Sequence, residues 1–146
     1  MKTIALRFGE TFSPESGTIA AHQRIIDDLG YVWYGKLGAA VSVKIIEEVM
    51  QSADPRFLLI KSGKTERYWV HIKAVSTEKP PTNEFPAYYN IKAEAMKTWF
   101  KVTSFELAPK DIMSHCYVTS SGKSLSEASR LSMSPYFIIE YREDKK

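Results

Sequence analysis

Aromatic side chains are the residues of this chain best suited to do chemistry on a ligand: it carries three Trp, eight Tyr and seven Phe, several of them where strands give way to loops. A flat π face can sandwich a nucleobase. Each stack is worth about 1 to 3 kcal/mol, enough to offset the few kcal/mol needed to extrude a base from a duplex. Trp33 stands at the edge of a small-residue stretch, Gly35 to Ala40, where a ligand could approach the backbone closely. Trp69 and Trp99, embedded in apolar runs, read instead as core residues. Catalytic constellations are poorly represented. A nucleophilic enzyme needs Ser or Cys with His and an orienting carboxylate, yet His22 lies in a helical run, His71 inside an apolar strand as a satisfied half-buried histidine, and His115 beside Cys116. The adjacent pairs Asp27-Asp28 and Glu47-Glu48 point apart on a helix and read as solvated faces. Ser62-Gly63-Lys64-Thr65 lacks the upstream glycine and following helix of a phosphate-binding loop, so it reads as a hairpin turn.

The elements that must position these side chains alternate between short strands and helices. Strands are expected over Lys2 to Phe8, Tyr31 to Tyr34, Arg56 to Ile60, Tyr68 to Val75, Tyr88 to Ala95, Trp99 to Leu107 and Tyr136 to Tyr141. The Arg56 to Ile60 run is continuously apolar, as in a strand buried on both faces, and pairs with Tyr68 to Val75 as a hairpin. Helices are expected over Thr18 to Leu29 and Ser42 to Met50, with one helical turn over Leu125 to Ala128. Ile19, Ala20, Ile25, Ile26 and Leu29 form the apolar face of the first; Ser16 or Thr18 caps its start and Gly30 its end. Ser76 to Pro86, with three prolines, is a long loop. These elements predict an α+β fold, a small, curved, mixed β-barrel flanked by helices.

With 146 residues, 44% hydrophobic, the chain is long enough for one core, and residues 1–146 read as a single domain. No stretch reaches the roughly 18 apolar residues of a membrane span, and the first residues lack the apolar run of a signal peptide, so the chain reads as cytoplasmic with no membrane partner. A single cysteine, Cys116, excludes an internal disulfide and a multi-thiolate metal site. No cofactor or metal is expected. The formal charge of +3 permits nucleic-acid binding without demanding it, since the lysines and arginines are spread along the chain.

Two segments carry a family resemblance. Val32-Trp33 ends an early strand, and Arg130-Leu131-Ser132-Met133-Ser134-Pro135 feeds the last one. Together they resemble the EVE branch of the PUA-like domains, the group that also holds YTH and ASCH domains. Phe57-Leu58-Leu59-Ile60-Lys61-Ser62-Gly63 and Trp99-Phe100-Lys101-Val102 resemble further family strands. The resemblance implies a reader of modified bases rather than an enzyme. It gives Trp33 the role of a pocket wall and Tyr88 or Tyr89, ahead of Phe85, that of its partner; Tyr34, Ser42, Lys61 and Ser62 would complete the base-binding pocket. Lys36, Lys64, Arg130 and Ser132 would contact the backbone or a base edge. Asp54-Pro55-Arg56 replaces the family's usual Gly-Asp, and the Thr18 to Leu29 helix is longer than in a compact EVE domain. That insertion is similar to the recognition domains of McrB-type modification-dependent restriction systems. It implies DNA ahead of RNA as ligand, and a larger NTPase or nuclease as partner, with this chain as its recognition module. Two other classes share these features: an ASCH-like ribonuclease, and a protein-interaction domain whose pocket is shallow or filled by its own side chains. Discrimination has a physical limit, because burying one methyl yields about 0.8 kcal/mol, roughly a fourfold preference. N6-methyladenine, 5-methylcytosine and 5-hydroxymethylcytosine all fit an aromatic cage.

Overall fold

A computed structural model of the chain describes residues 1–8, 17–61, 66–132, 134 and 136–143. The elements run β1 (Lys2–Phe8), α1 (Thr18–Leu29), β2 (Val32–Leu37), α2 (Val43–Met50), β3 (Arg56–Lys61), β4 (Arg67–Ser76), β5 (Met96–Leu107), β6 (Cys116–Val118), α3 (Leu125–Leu131) and β7 (Tyr136–Tyr141). Between β4 and β5 lie three short 3-10 segments, Thr82–Glu84, Ala87–Ile91 and Ala93–Ala95, and a fourth, Ile112–His115, precedes β6.

All seven strands join one mixed sheet in the order β2-β5-β4-β3-β1-β7-β6. β1 and β3 are parallel; the other described pairs are antiparallel. The wall is curved but open, with β2 and β6 as its edges. The β4–β5 register shifts at His71/Ile72 and again by Ala74, and such bulges bend a strand and increase its twist. Before that bend β4 pairs with β3; beyond it β4 pairs with β5 alone, whose first half pairs in turn with β2.

Curvature brings Leu6, Val32, Phe57, Val70 and Phe100, from five strands, into one inner core covered by α1 and α2. Leu58 and Ile60 point the other way into a second core with Trp69, Ile112, Leu125 and Ile139. β3 is therefore buried on both faces, as its unbroken apolar run predicts. Gly30, at φ 85°, ends α1 in the left-handed conformation open to glycine, and its N–H returns to the Ile26 carbonyl. Gly17, not a side-chain cap, occupies the N-terminal position, while Ser16 lies outside the described residues.

Three expectations are revised. Tyr88 to Ala95 is not a strand: Tyr89 N–H bonds back to the Pro86 carbonyl, Lys92 to Tyr89 and Ala95 to Lys92, a succession of 3-10 turns. β2 extends to Leu37, so Gly35 belongs to the strand and Trp33 sits in its body rather than at a loop edge. α3 continues past Ala128 to Leu131. Among the described residues, no helix is long and apolar enough to cross a membrane.

Candidate nucleic-acid interface

Alternation along β2 sends Val32 and Tyr34 into the inner core and leaves Trp33 and Gly35 on the opposite face. Gly35 pairs with Trp99 of β5 and Trp33 with Lys101. The missing side chain at Gly35 is a packing requirement: a Cβ there would lie 2.1 Å from Met96 Sδ and 3.0 Å from Trp99 Cζ3. Met96 and Trp99 thus lie directly on the strand, and the 3-10 turns fold Phe85, Tyr89 and Ala93 over them. Phe85 meets Trp99 at 5.1 Å between ring centroids and Tyr89 at 5.8 Å. Trp33 and Tyr88 pack at the margin of this third cluster, both half-buried.

Polar contacts fix the aromatic group at three points. The Trp33 indole N–H donates to Glu84 Oε1 at 3.2 Å. Glu84 also bonds the Tyr31 hydroxyl and thereby holds its pKa above the ordinary tyrosine value. Lys101 Nζ sits 4.3 Å from the Tyr31 ring centroid, so a cation stands beside Trp33 as well. From the inner side, the fully buried His22 bonds the Tyr89 hydroxyl through Nε2 and the Thr18 carbonyl through Nδ1 at 2.7 Å. A carbonyl only accepts, so Nδ1 carries the hydrogen and Nε2 accepts from Tyr89. Burial pulls the His22 pKa down to about 4 and pushes that of Tyr89 well up. The pair is a neutral strut from α1 to the turn that carries Tyr88.

Of the residues expected to line a base pocket, Trp33, Tyr88 and Tyr89 come together, although Tyr89 is only 5% exposed and belongs to the cluster's interior. Tyr34 lies behind them in the inner core, its ring 5.2 Å from His22 and 5.9 Å from Phe57. Ser42 serves the backbone: its hydroxyl caps α2 by accepting from Ile45 N–H at 3.3 Å. Lys61, at the end of β3, reaches Glu66 at 4.0 Å. Lys36, expected on a phosphate, is 8% exposed and donates to the carbonyls of Leu37 and Ala39 at 3.2 and 2.8 Å. It faces inward because position 36 has the same parity on β2 as the core residues Val32 and Tyr34, and burial lowers its pKa. Arg130 is exposed in the last turn of α3, where a cation complements the helix dipole. Ser132 follows that helix and accepts from Ser134 N–H. Ser62 and Lys64 lie outside the described residues.

Sequence reasoning passed over His22, Glu84, Tyr31 and Lys101. Only His22 carried a signal, as a polar residue at helical spacing between Ile19 and the Ile25-Ile26 pair. The other titratable groupings lie apart: His71 donates to Asp54 at 2.9 Å and Glu106 at 2.7 Å, and these bonds outweigh desolvation to raise its pKa. His115 pairs with Asp111. Cys116 is buried, which pushes its thiol up to about 12 and leaves it inert at neutral pH. Among the described residues, no group of three His, Cys, Asp or Glu could hold a metal ion. The arrangement offers π faces, one fixed indole and a neighbouring cation, which is equipment for stacking.

The model of one protein family, described as Pua-like, matches residues 4–140. No curated protein and no solved structure matches the chain.

Proposed function

The chain belongs to the Pua-like family, and from that premise we propose that it is a noncatalytic reader of nucleic acid that stacks a flipped, modified base on Trp33. Pua-like domains generally bind RNA or other nucleic acids. One observation supports the finer reading: Trp33 is half-buried with its indole edge tied to Glu84, Lys101 is its cross-strand neighbour, and Tyr88 packs at the margin of the same aromatic cluster. Holding the edge leaves the ring face as the part that a base can meet, and Tyr88 is the second wall. Lys101 supplies charge toward the backbone. DNA is the favoured ligand, with RNA second, in the manner of the EVE and YTH domains; the fitting context is the recognition module of a modification-dependent restriction system, with an NTPase or nuclease partner carrying out the cleavage.

A second reading, an interaction domain without nucleic-acid ligand, draws on a different observation. Phe85, Tyr89, Met96 and Trp99 fill the space behind Trp33. A base must therefore be seated at the cluster's margin or displace Tyr88.

Equilibrium titrations at fixed salt separate the readings. Matched duplex and single-stranded oligonucleotides, with and without N6-methyladenine, 5-methylcytosine or 5-hydroxymethylcytosine, are titrated with wild type and Trp33→Ala. Preference for one modified base, lost in Trp33→Ala while the fold is retained, supports the reader. Equal or absent binding across the panel refutes it, and cleavage of any probe by the protein moves the assignment to an ASCH-like ribonuclease.

A further inference from the structure

Between α3 and the paired strands β6 and β7 lies a cleft of about 490 Å³, within the range of small-molecule sites. Its floor is apolar, with the buried Val118, Ala128 and Phe137 among the lining residues, and its walls carry hydroxyls from Thr119, Ser120, Ser121, Ser132 and Ser134. Lys123 lines it too, and the described lining includes no carboxylate.

Ser134 Oγ donates to the Tyr136 carbonyl at 2.8 Å and Thr119 Oγ1 to that of Ile138 at 3.4 Å, which leaves the donors of the walls to Ser121 and Ser132. Ser132 Oγ accepts from Ser134 N–H at 3.2 Å, and Ser121 Oγ accepts from Lys123 N–H at 3.3 Å. Each hydroxyl therefore keeps its own hydrogen to donate. Carbonyls that could offer competing acceptors are drawn away. Arg7, on β1, bonds the carbonyl of Ser134 through Nε at 3.2 Å and those of Ser129 and Ser132 through Nη2 at 3.2 and 3.0 Å. Positive charge gathers around the space. Besides Lys123, Arg130 stands exposed on α3, whose Ala128 and Leu131 line the cleft. Glu127, on the same helix, is exposed and does not line the cleft.

We infer that this cleft is a phosphate subsite that takes one nucleotide of the bound strand, its phosphate at Lys123, Ser121 and Ser132 and its sugar on the apolar floor. The inference rests on the reading of the chain as a nucleic-acid binder and adds a contact separate from Trp33.

The phosphate could be a strand's terminal monoester or an internal diester, and the probes distinguish them: short single strands with a 5′-phosphate or a 5′-hydroxyl, titrated at several salt concentrations. Lys123→Glu and, separately, Ser120→Asp alter exposed lining positions, and circular dichroism checks their fold. Both variants should weaken binding about tenfold whatever the base modification, and Lys123→Glu should lower the slope of log affinity against log salt by about 0.7, the value of one single-strand phosphate. A loss confined to 5′-phosphorylated strands identifies the monoester, and an equal loss with both probes the diester. Folded variants that match wild type in affinity and slope, while wild type still prefers a modified base, overturn the cleft alone. Failure of wild type to bind any strand overturns the reader reading and this inference together.

Discussion

Gly35→Ala tests how the aromatic cluster is built. The added Cβ would meet Met96 Sδ at 2.1 Å, where ordinary contact begins at 3.4 Å, so the thioether must retreat by about 1.3 Å. Trp99 Cζ3, at 3.0 Å, must also give by a few tenths of an ångström. Met96 is flexible but 8% exposed, and Trp99 is fully enclosed, so neither has free space to move into. Overpacking of this kind costs about 1 to 3 kcal/mol. Gly35 lacks a positive φ, so alanine recovers about 0.4 to 1 kcal/mol through the unfolded chain. The net expectation is a loss of about 1 to 2 kcal/mol, a fall in Tm of about 3 to 8 °C for a chain of this size. Urea unfolding of wild type, Gly35→Ala, Met96→Ala and the double variant measures it. Met96→Ala alone should cost about 2 to 5 kcal/mol as a cavity. The double variant should cost about 1 kcal/mol less than the sum, because the new methyl enters the space the thioether leaves. A Gly35→Ala protein as stable as wild type, or strict additivity in the cycle, would refute this packing.

Acid should loosen the strut beneath the cluster. His22 has a folded pKa of about 4, below its ordinary 6.5, so the unfolded chain binds the extra proton first. The stability this represents is present above pH 6.5 and drains as pH falls toward 4, on the order of 3 kcal/mol across the window; urea midpoints against pH should show that slope, and His22→Gln should remove it. Ser42→Ala should lower stability by about 1 kcal/mol through loss of the α2 cap and leave the modified-base preference unchanged, which separates capping from ligand contact. Lys36→Met should cost about 1 to 3 kcal/mol, because the Leu37 and Ala39 carbonyls lose their donor, with no change in the salt dependence of binding.

Local pattern made much of the fold legible. Lys2–Phe8, Thr18–Leu29 and Tyr136–Tyr141 have the bounds that their apolar runs and the Gly30 stop predict. The 88–95 segment misled because Tyr89, Ile91, Ala93 and Ala95 alternate strictly with the polar Asn90, Lys92 and Glu94, the period of a half-buried strand, whereas the backbone there closes successive 3-10 turns onto the Pro86, Tyr89 and Lys92 carbonyls. At the site, the pairing of Trp33 with Tyr88 and Tyr89 followed from family resemblance, not periodicity. The inward turn of Lys36 was readable in principle from parity with Val32 and Tyr34, but only once β2 was known to run through Gly35. Glu84 under Trp33, 51 positions away, and Arg7 on carbonyls more than 120 positions away depend on tertiary approach that no local window contains.

Indole N–H resonances give the most direct view of the central claim. The protein has three tryptophans, and Trp33→Phe assigns the signal of residue 33. Titration of 15N-labelled protein with the preferred modified oligonucleotide and its unmodified twin should shift the Trp33 signal strongly with the modified strand alone, with a smaller movement at Trp99 behind it and none at Trp69 in the second core. A Trp33 signal that stays in place while the strand binds, or that moves equally with both strands, would contradict the reader of modified bases.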